Sequence, residues 1–236
     1  MQNIKIIVEY DGTDFSGWQV QPGKRTVQGE LEKALRIIFN KKIRVTGSGR
    51  TDTGVHALGQ VVSFAAPKQI PPEEFKNAIN GNIPYDIFVK DCKRVHEDFN
   101  ARFSASSRIY RYQIAKGKSV FNRRYFFQIE GELNINDMKK AKKELIGEKD
   151  FSYLATKDRG ICYVKRIKIS EDKNNIFIEV EANRFLRRMV RGIVGLLLSV
   201  GKGDLKPSDT KKVLSGMKRR PPVAPPQGLF LIKVKY

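Results

Sequence analysis

The chain holds two cysteines, Cys92 and Cys162, and two histidines, His56 and His96, among 236 residues. Two cysteines make neither a disulfide framework nor a four-ligand zinc site. The histidines add nothing at metal-ligand spacing. No metal is expected, and both cysteines read as ordinary half-buried strand residues. Long apolar runs are also missing. The most apolar stretch, 189–200, carries Arg191 inside it and falls far short of the roughly 20 apolar residues of a membrane span. The opening residues MQNIKIIVEYDG run into a turn after an apolar stretch too short for a secretion signal. The expectation is a soluble, cytoplasmic chain without a membrane partner. Acid is scarce too: Asp and Glu total 25 against 45 Lys and Arg, a net charge of +20. With 40% hydrophobic and 30% charged residues, a core can form, so wholesale disorder and collagen-like fibres are excluded. The length fits one large domain or two small ones.

The charge is uneven. Residues 1–100 contain 14 Lys and Arg against 12 Asp and Glu, whereas residues 101–236 contain 31 against 13. Nearly all of the excess, +18 against +2, therefore sits in the second part. Such a surface suits phosphates, with nucleic acid the leading partner, although cationic patches also bind anionic lipid. The plainer reading is a solvated face, as for Lys139, Lys140, Lys142 and Lys143 on one helix.

Residues 4–10 are β-rich and end at Asp11-Gly12. Thr26 can cap a helix with the stripe Val27, Leu31, Leu35 and Ile38. Strands follow at 43–46 and 59–64, separated by a small-residue loop over 47–54. Pro71-Pro72 opens a helix with Phe75, Ala78 and Ile79 on one side, and 87–95 is a strand. The order β-α-β-β-α-β then recurs: a strand over 108–115, another at 125–129, and a helix over 136–146 with Met138, Ala141 and Leu145 inward. Strands at 164–169 and 176–180 precede a long helix from Asn183 to about Val200. A short helix follows Pro207, 221–226 forms a stiff proline connector, and 228–234 is the closing strand. This is the split βαβ order of ferredoxin-like folds. The expected class is α+β, with two ferredoxin-like halves, each an antiparallel sheet with helices on one face: an N-terminal half over 1–100 carrying the small-residue loop and a basic half over 101–236.

Three clusters could carry chemistry. The segment Gly47-Ser48-Gly49-Arg50-Thr51-Asp52-Thr53-Gly54-Val55-His56-Ala57 lies between predicted strands, where side chains can be presented to a cleft. It is neither a P-loop nor a dinucleotide fingerprint, since the required glycine and lysine offsets are absent. Arg50 and Asp52 lie two apart and can share one side of an extended loop. A carboxylate among cations stays ionised and can act as nucleophile or base; the plainer reading is a surface turn. A hydrolase triad of Asp52, His56 and a serine lacks any serine on a nucleophile elbow. Secondly, on the predicted helix after Asn183, Arg184, Arg187, Arg188 and Arg191 fall at i, i+3, i+4 and i+7. They form a stripe without acid that phosphates or a buried carboxylate would answer. Thirdly, Tyr110 and Tyr112 alternate with Arg108 and Arg111 on a strand. Both tyrosines face one way, a pattern suited to base stacking or to amphipathic core filling.

These residues resemble the bacterial tRNA pseudouridine synthase A family, the tRNA pseudouridine(38-40) synthases. The resemblance runs along essentially the whole chain. It includes Tyr10-Asp11-Gly12, Phe15, Gly17-Trp18-Gln19 and the highly specific GRTD-x-GVH loop. It continues through Ala101-Arg102-Phe103-Ser104-Ala105, Arg108 through Tyr112, Asn183, Phe185, Met189-Val190-Arg191, Ile193-Val194-Gly195 and Gly228-Leu229. Thr53 departs from it, standing where alanine is usual. The resemblance implies that the chain isomerises uridine to pseudouridine at positions 38, 39 and 40 of the tRNA anticodon stem-loop. It makes Asp52 the nucleophile and places Tyr110 on the target uracil. Arg50 and Arg191 become the arginines that orient the aspartate and hold the flipped nucleotide. It further implies no cofactor, no metal, a homodimer on tRNA, a catalytic loop in the N-terminal half, and the pseudouridine synthase fold, in which the two halves share one extended antiparallel sheet. Arg184, Arg187 and Arg188 are expected to meet the RNA backbone. An ionised Asp52 could attack C1′, attack C6 or take a sugar proton. The flipped base costs a few kcal/mol of stacking, which an aromatic can partly replace.

Two other classes compete. A non-catalytic RNA-binding protein of two RRM-like halves would explain charge and fold, but the RNP1 pattern is missing. A basic nuclease would need paired carboxylates for magnesium or a histidine pair, and neither is evident.

Overall fold

The computed structural model describes residues 2–236 as two compact units, one ending at Ser106 and joined by Phe230–Tyr236, the other Ser107–Leu229. In the first unit, β1 (Gln2–Tyr10), α1 (Val27–Phe39), β2 (Thr46–Gly47), β3 (His56–Ala66), α2 (Pro72–Asn80) and β4 (Ile87–Val95) follow the expected order. Strand β1 lies antiparallel between β3 and β4. Its β-branched residues Ile4, Ile6 and Val8 alternate inward and are buried, as a strand with one covered face requires. Thr26 caps α1 by accepting from the Gly29 amide at 3.3 Å. The buried stripe of α1 is Val27, Leu31, Ala34, Leu35 and Phe39, so Phe39 rather than the half-buried Ile38 closes it. Cys92 is a buried residue of β4.

The second unit contains β5 (Ser107–Lys116), β6 (Phe127–Ile129), α3 (Ile135–Ala141), β7 (Gly147–Asp150), β8 (Ile161–Glu171), β9 (Asn175–Ala182), α4 (Met189–Gly201) and α5 (Asp209–Leu214). Strands β5, β9, β8 and β7 pair antiparallel in that order, while β6 runs parallel to β5. The helix expected over 136–146 ends earlier: α3 tightens into a 3₁₀ turn over Lys142–Leu145. Met138, Ala141 and Leu145 remain fully buried. Strand β7 was not foreseen, because Gly147-Glu148-Lys149-Asp150 carries no apolar alternation and is held by its pairing with β8.

The closing strand β10 (Leu229–Lys235) pairs parallel with β3, Phe230 opposite His56 and Leu231 opposite Ala57. The strand pairing is therefore mixed, with parallel pairs at β3–β10 and β5–β6, rather than antiparallel throughout.

The long helix expected from Asn183 begins only at Met189. Residues 183–188 are drawn off by other bonds. The Asn183 side chain accepts from the Tyr163 amide at 3.0 Å and the Arg184 amide at 2.7 Å. Arg187 donates its amide to Asp158 at 2.8 Å and accepts from the Thr156 amide at 2.9 Å. Arg188 then takes a left-handed conformation at φ 62, which ends any helical run on its N-terminal side. Arg184, Arg187 and Arg188 therefore share no helical face with Arg191. Helix α4 itself has no solvent stripe, since almost every residue in it is buried, as expected of a helix apolar all round.

Candidate active site

The loop carrying Arg50 and Asp52 joins β2 to β3 in the first unit. It is fastened along its length, in part by Gln60, which no sequence pattern marks. The Ser48 amide donates to Val61 O at 2.8 Å. Its hydroxyl donates to Gln60 Oε1 at 2.6 Å, and Gln60 Nε2 donates to Gly49 O at 2.8 Å. Gln60 and Ser48 are buried, so these bonds act where water does not compete. Further on, the Tyr10 hydroxyl and Thr51 Oγ1 lie 2.8 Å apart, buried. The Trp18 amide donates to Thr51 O at 3.1 Å, and the Val55 amide closes back on Asp52 O at 3.1 Å. Burial pushes the Tyr10 phenol up to about 12, against hydrogen bonds from Thr51 and Gln60 that lower it.

Two glycines admit the loop. A Cβ on Gly12 would lie 2.0 Å from Val55 O, and one on Gly17 would lie 2.7 Å from Thr51 O. Gly17 also sits at φ 92, where side chains are disfavoured. The Tyr10-Asp11-Gly12 and Gly17-Trp18 motifs are thus the seat of the loop. The segment between them is pinned by Arg25, which grips Asp86 with both nitrogens at 2.7 and 2.8 Å and stacks 4.1 Å from the Phe15 ring centre.

On this support Asp52 is half-buried and Arg50 exposed, with buried Thr51 between them. Thr53 is exposed, so the departure from alanine does not enter the core. His56 is a core histidine, buried and stacked on Phe230 at 4.6 Å between ring centres. Its Nδ1 accepts from the Gly12 amide at 3.0 Å. Asp11 Oδ1 lies 3.1 Å from the same nitrogen. Asp11 Oδ1 also accepts from the Thr13 amide and hydroxyl, at 3.0 and 2.6 Å.

In the second unit, Tyr110 and Tyr112 do point the same way from β5, but they differ in use. Tyr112 is fully buried, and its hydroxyl donates to Pro225 O at 2.9 Å. Burial raises its pKa, with the Arg191 charge opposing. Tyr112 is thus the core filler. Tyr110 is 7% exposed and packs edge-on against Phe185 at 5.1 Å. Arg111 is engaged by Glu179 at 2.7 and 3.0 Å, and Arg108 Nη1 donates to Asn183 O at 2.8 Å.

Arg191 lies in the first turn of α4, is buried, and donates from Nε to Ala224 O at 2.6 Å. The Ala224 amide returns a bond to Arg191 O at 3.0 Å. The proline segment 221–226, read in the sequence as a connector, is therefore strapped along α4. Its contact is so close that a Cβ on Gly195 would fall 2.1 Å from Pro222 O. Among the described residues, no three of His, Cys, Asp and Glu cluster so as to hold a metal ion.

A family model described as tRNA pseudouridine synthase matches residues 6–104 and 141–236. A protein of Thermosipho melanesiensis called "tRNA pseudouridine synthase A" is 46% identical over 244 aligned residues, covering 100% of both chains. A protein of the same name from Fervidobacterium nodosum is 46% identical over 246, again covering 100% of both.

Proposed function

This chain belongs to the tRNA pseudouridine synthase family, and we propose that it modifies the anticodon stem-loop at positions 38, 39 and 40 with Asp52 as its nucleophile. It is an isomerase acting on tRNA uridines. The reaction breaks the bond between C1′ and N1 of uracil and forms one between C1′ and C5. The C5 proton leaves as N1 gains one, so the change is balanced without an oxidant or reductant. What is needed is a carboxylate held in place, a grip on the extruded base, and exclusion of water while uracil is detached. Asp52 supplies the first. Tyr110 offers an aromatic ring of the kind that replaces lost stacking. Arg50 and Arg191 carry the fixed positive charge that steadies a carboxylate and a phosphate.

The observation that carries this reading is the fastening of the GRTD loop. Buried side chains and two glycines with no room for a Cβ hold a half-buried aspartate at the loop's turn. A merely solvated turn would need none of them. The non-catalytic RNA-binding alternative leaves that arrangement without a purpose. We further propose that the chain works as a homodimer in the cytoplasm. No helix among the described residues is long and apolar enough to cross a membrane.

The test is incubation with unmodified tRNA transcripts without added metal, followed by nucleoside analysis. Pseudouridine confined to positions 38, 39 and 40 is expected. Tight tRNA binding with no pseudouridine would favour the RNA-binding alternative. Sedimentation at micromolar concentration should give twice the mass of one chain; a monomer would remove the dimer.

A further inference from the structure

Beside α4 the second unit has an open hollow of about 1150 Å³. Arg159, Arg188, Arg219 and Arg220 line it, together with Tyr153 and a single acid, Asp204. The four arginines come from three separate stretches of chain, so no helical or strand period in the sequence joins them. Only Arg188 belongs to the arginine stripe that the sequence had suggested.

Three features set the hollow apart from a solvated face. Four guanidinium groups share one concavity with one carboxylate, so their mutual repulsion is only partly offset from within. The ion pairs that quiet cations elsewhere, such as Lys140 with Asp137 at 2.8 Å, are not made by Arg159 or Arg219 among the described residues. Arg220 is fixed rather than mobile, donating from Nη1 to Ala155 O at 2.5 Å and Tyr153 O at 3.4 Å. The half-exposed Tyr153 ring is likewise seated, packed over Gly216 where a Cβ would lie 2.3 Å away. Planar, forked cations suit phosphate oxygens, and an aromatic face beside them suits a nucleotide better than a free inorganic anion.

We infer that this hollow binds the phosphate backbone of the tRNA, with Arg159 and Arg219 making phosphate contacts that add affinity without entering the chemistry. The inference rests on the proposed function, since it takes tRNA as the polyanion. Each lost phosphate contact reduces the slope of log affinity against log salt by about 0.7–0.9. Arg159→Gln with Arg219→Gln should therefore lower that slope by about 1.4–1.8, while turnover at saturating tRNA stays within two-fold or so. Charge-conserving Arg159→Lys with Arg219→Lys should keep the parental slope, which a merely structural role for the arginines would not produce. Lys139→Gln with Lys140→Gln on α3 should leave it unchanged. The inference is overturned if the Gln pair keeps the parental slope, or if the Lys pair loses as much slope as the Gln pair. Pseudouridine formation by the unsubstituted protein is measured alongside. Its absence would defeat the proposed function, whereas its presence with an unchanged slope in the Gln pair defeats only the hollow.

Discussion

One hydrogen bond of 2.8 Å, between the Tyr10 hydroxyl and Thr51, ties the first strand to the residue preceding Asp52. Tyr10→Phe strands a buried threonine hydroxyl, which costs about 1–3 kcal/mol. Chemical denaturation should show that loss, and single-turnover rates should fall more than tRNA affinity. The same variant has a signature in pH. Burial lifts the Tyr10 pKa from 10.0 to about 12, so the folded chain holds this proton more tightly than the unfolded chain. The associated stability is fully present below pH 10 and is lost as pH rises through 12, about 3 kcal/mol in all. Urea unfolding across that window should be less steeply pH-dependent in Tyr10→Phe; an unaltered alkaline decline would show that the phenol does not titrate this way. Tyr10 and Thr51 lie in motifs legible in the sequence, but the bonds that use them are not. Asp52 stood out because its motif is dense in small and charged residues, but Gln60 was one polar residue in an apolar strand and Ser48 a loop serine. Only the fold shows them bonded to each other.

At the scale of elements, α4 is where local pattern and tertiary structure part. Its apolar period was plain from residue 189 onward. Its start was not, because Asn183 also fits a pairing with β8 and because a left-handed Arg188 leaves no mark in composition. The polar strand β7 and the 3₁₀ ending of α3 were hidden for the same reason, since backbone pairing and helix tightening have no side-chain period. The glycines of α4 give a quantitative test. Replacing glycine by alanine inside a helix ordinarily stabilises by about 1 kcal/mol. Here a Cβ on Gly192 would lie 2.1 Å from Leu154 O, and one on Gly195 2.1 Å from Pro222 O. Both neighbours are backbone atoms, so overpacking of about 1–3 kcal/mol dominates. Gly192→Ala and Gly195→Ala should lower the urea midpoint with an unchanged m-value. Gly81→Ala, whose Cβ would meet nothing nearer than 3.5 Å, should be close to neutral.

Across the whole molecule, the chain returns at its end to the unit it began with. Strand β10 lies on β3, the Ser106 amide donates to Lys235 O at 2.8 Å, and the Tyr236 hydroxyl donates to Ala101 O at 2.8 Å. A chain ending at Gly228 should therefore expose residues 2–106 to limited proteolysis and lose turnover; resistance equal to that of the full chain would contradict this. The β-α-β-β-α-β order was readable from periodicity. The parallel pairing of the last strand was not, because nothing in a seven-residue strand names its partner. The claim on which everything else depends is that Asp52 carries the chemistry, and it is tested most directly by pseudouridine formation in Asp52→Asn under single-turnover conditions. The variant should bind tRNA within a few-fold of the parent, melt at the parental temperature and form no pseudouridine. Substantial conversion by the pure, folded variant would contradict the account.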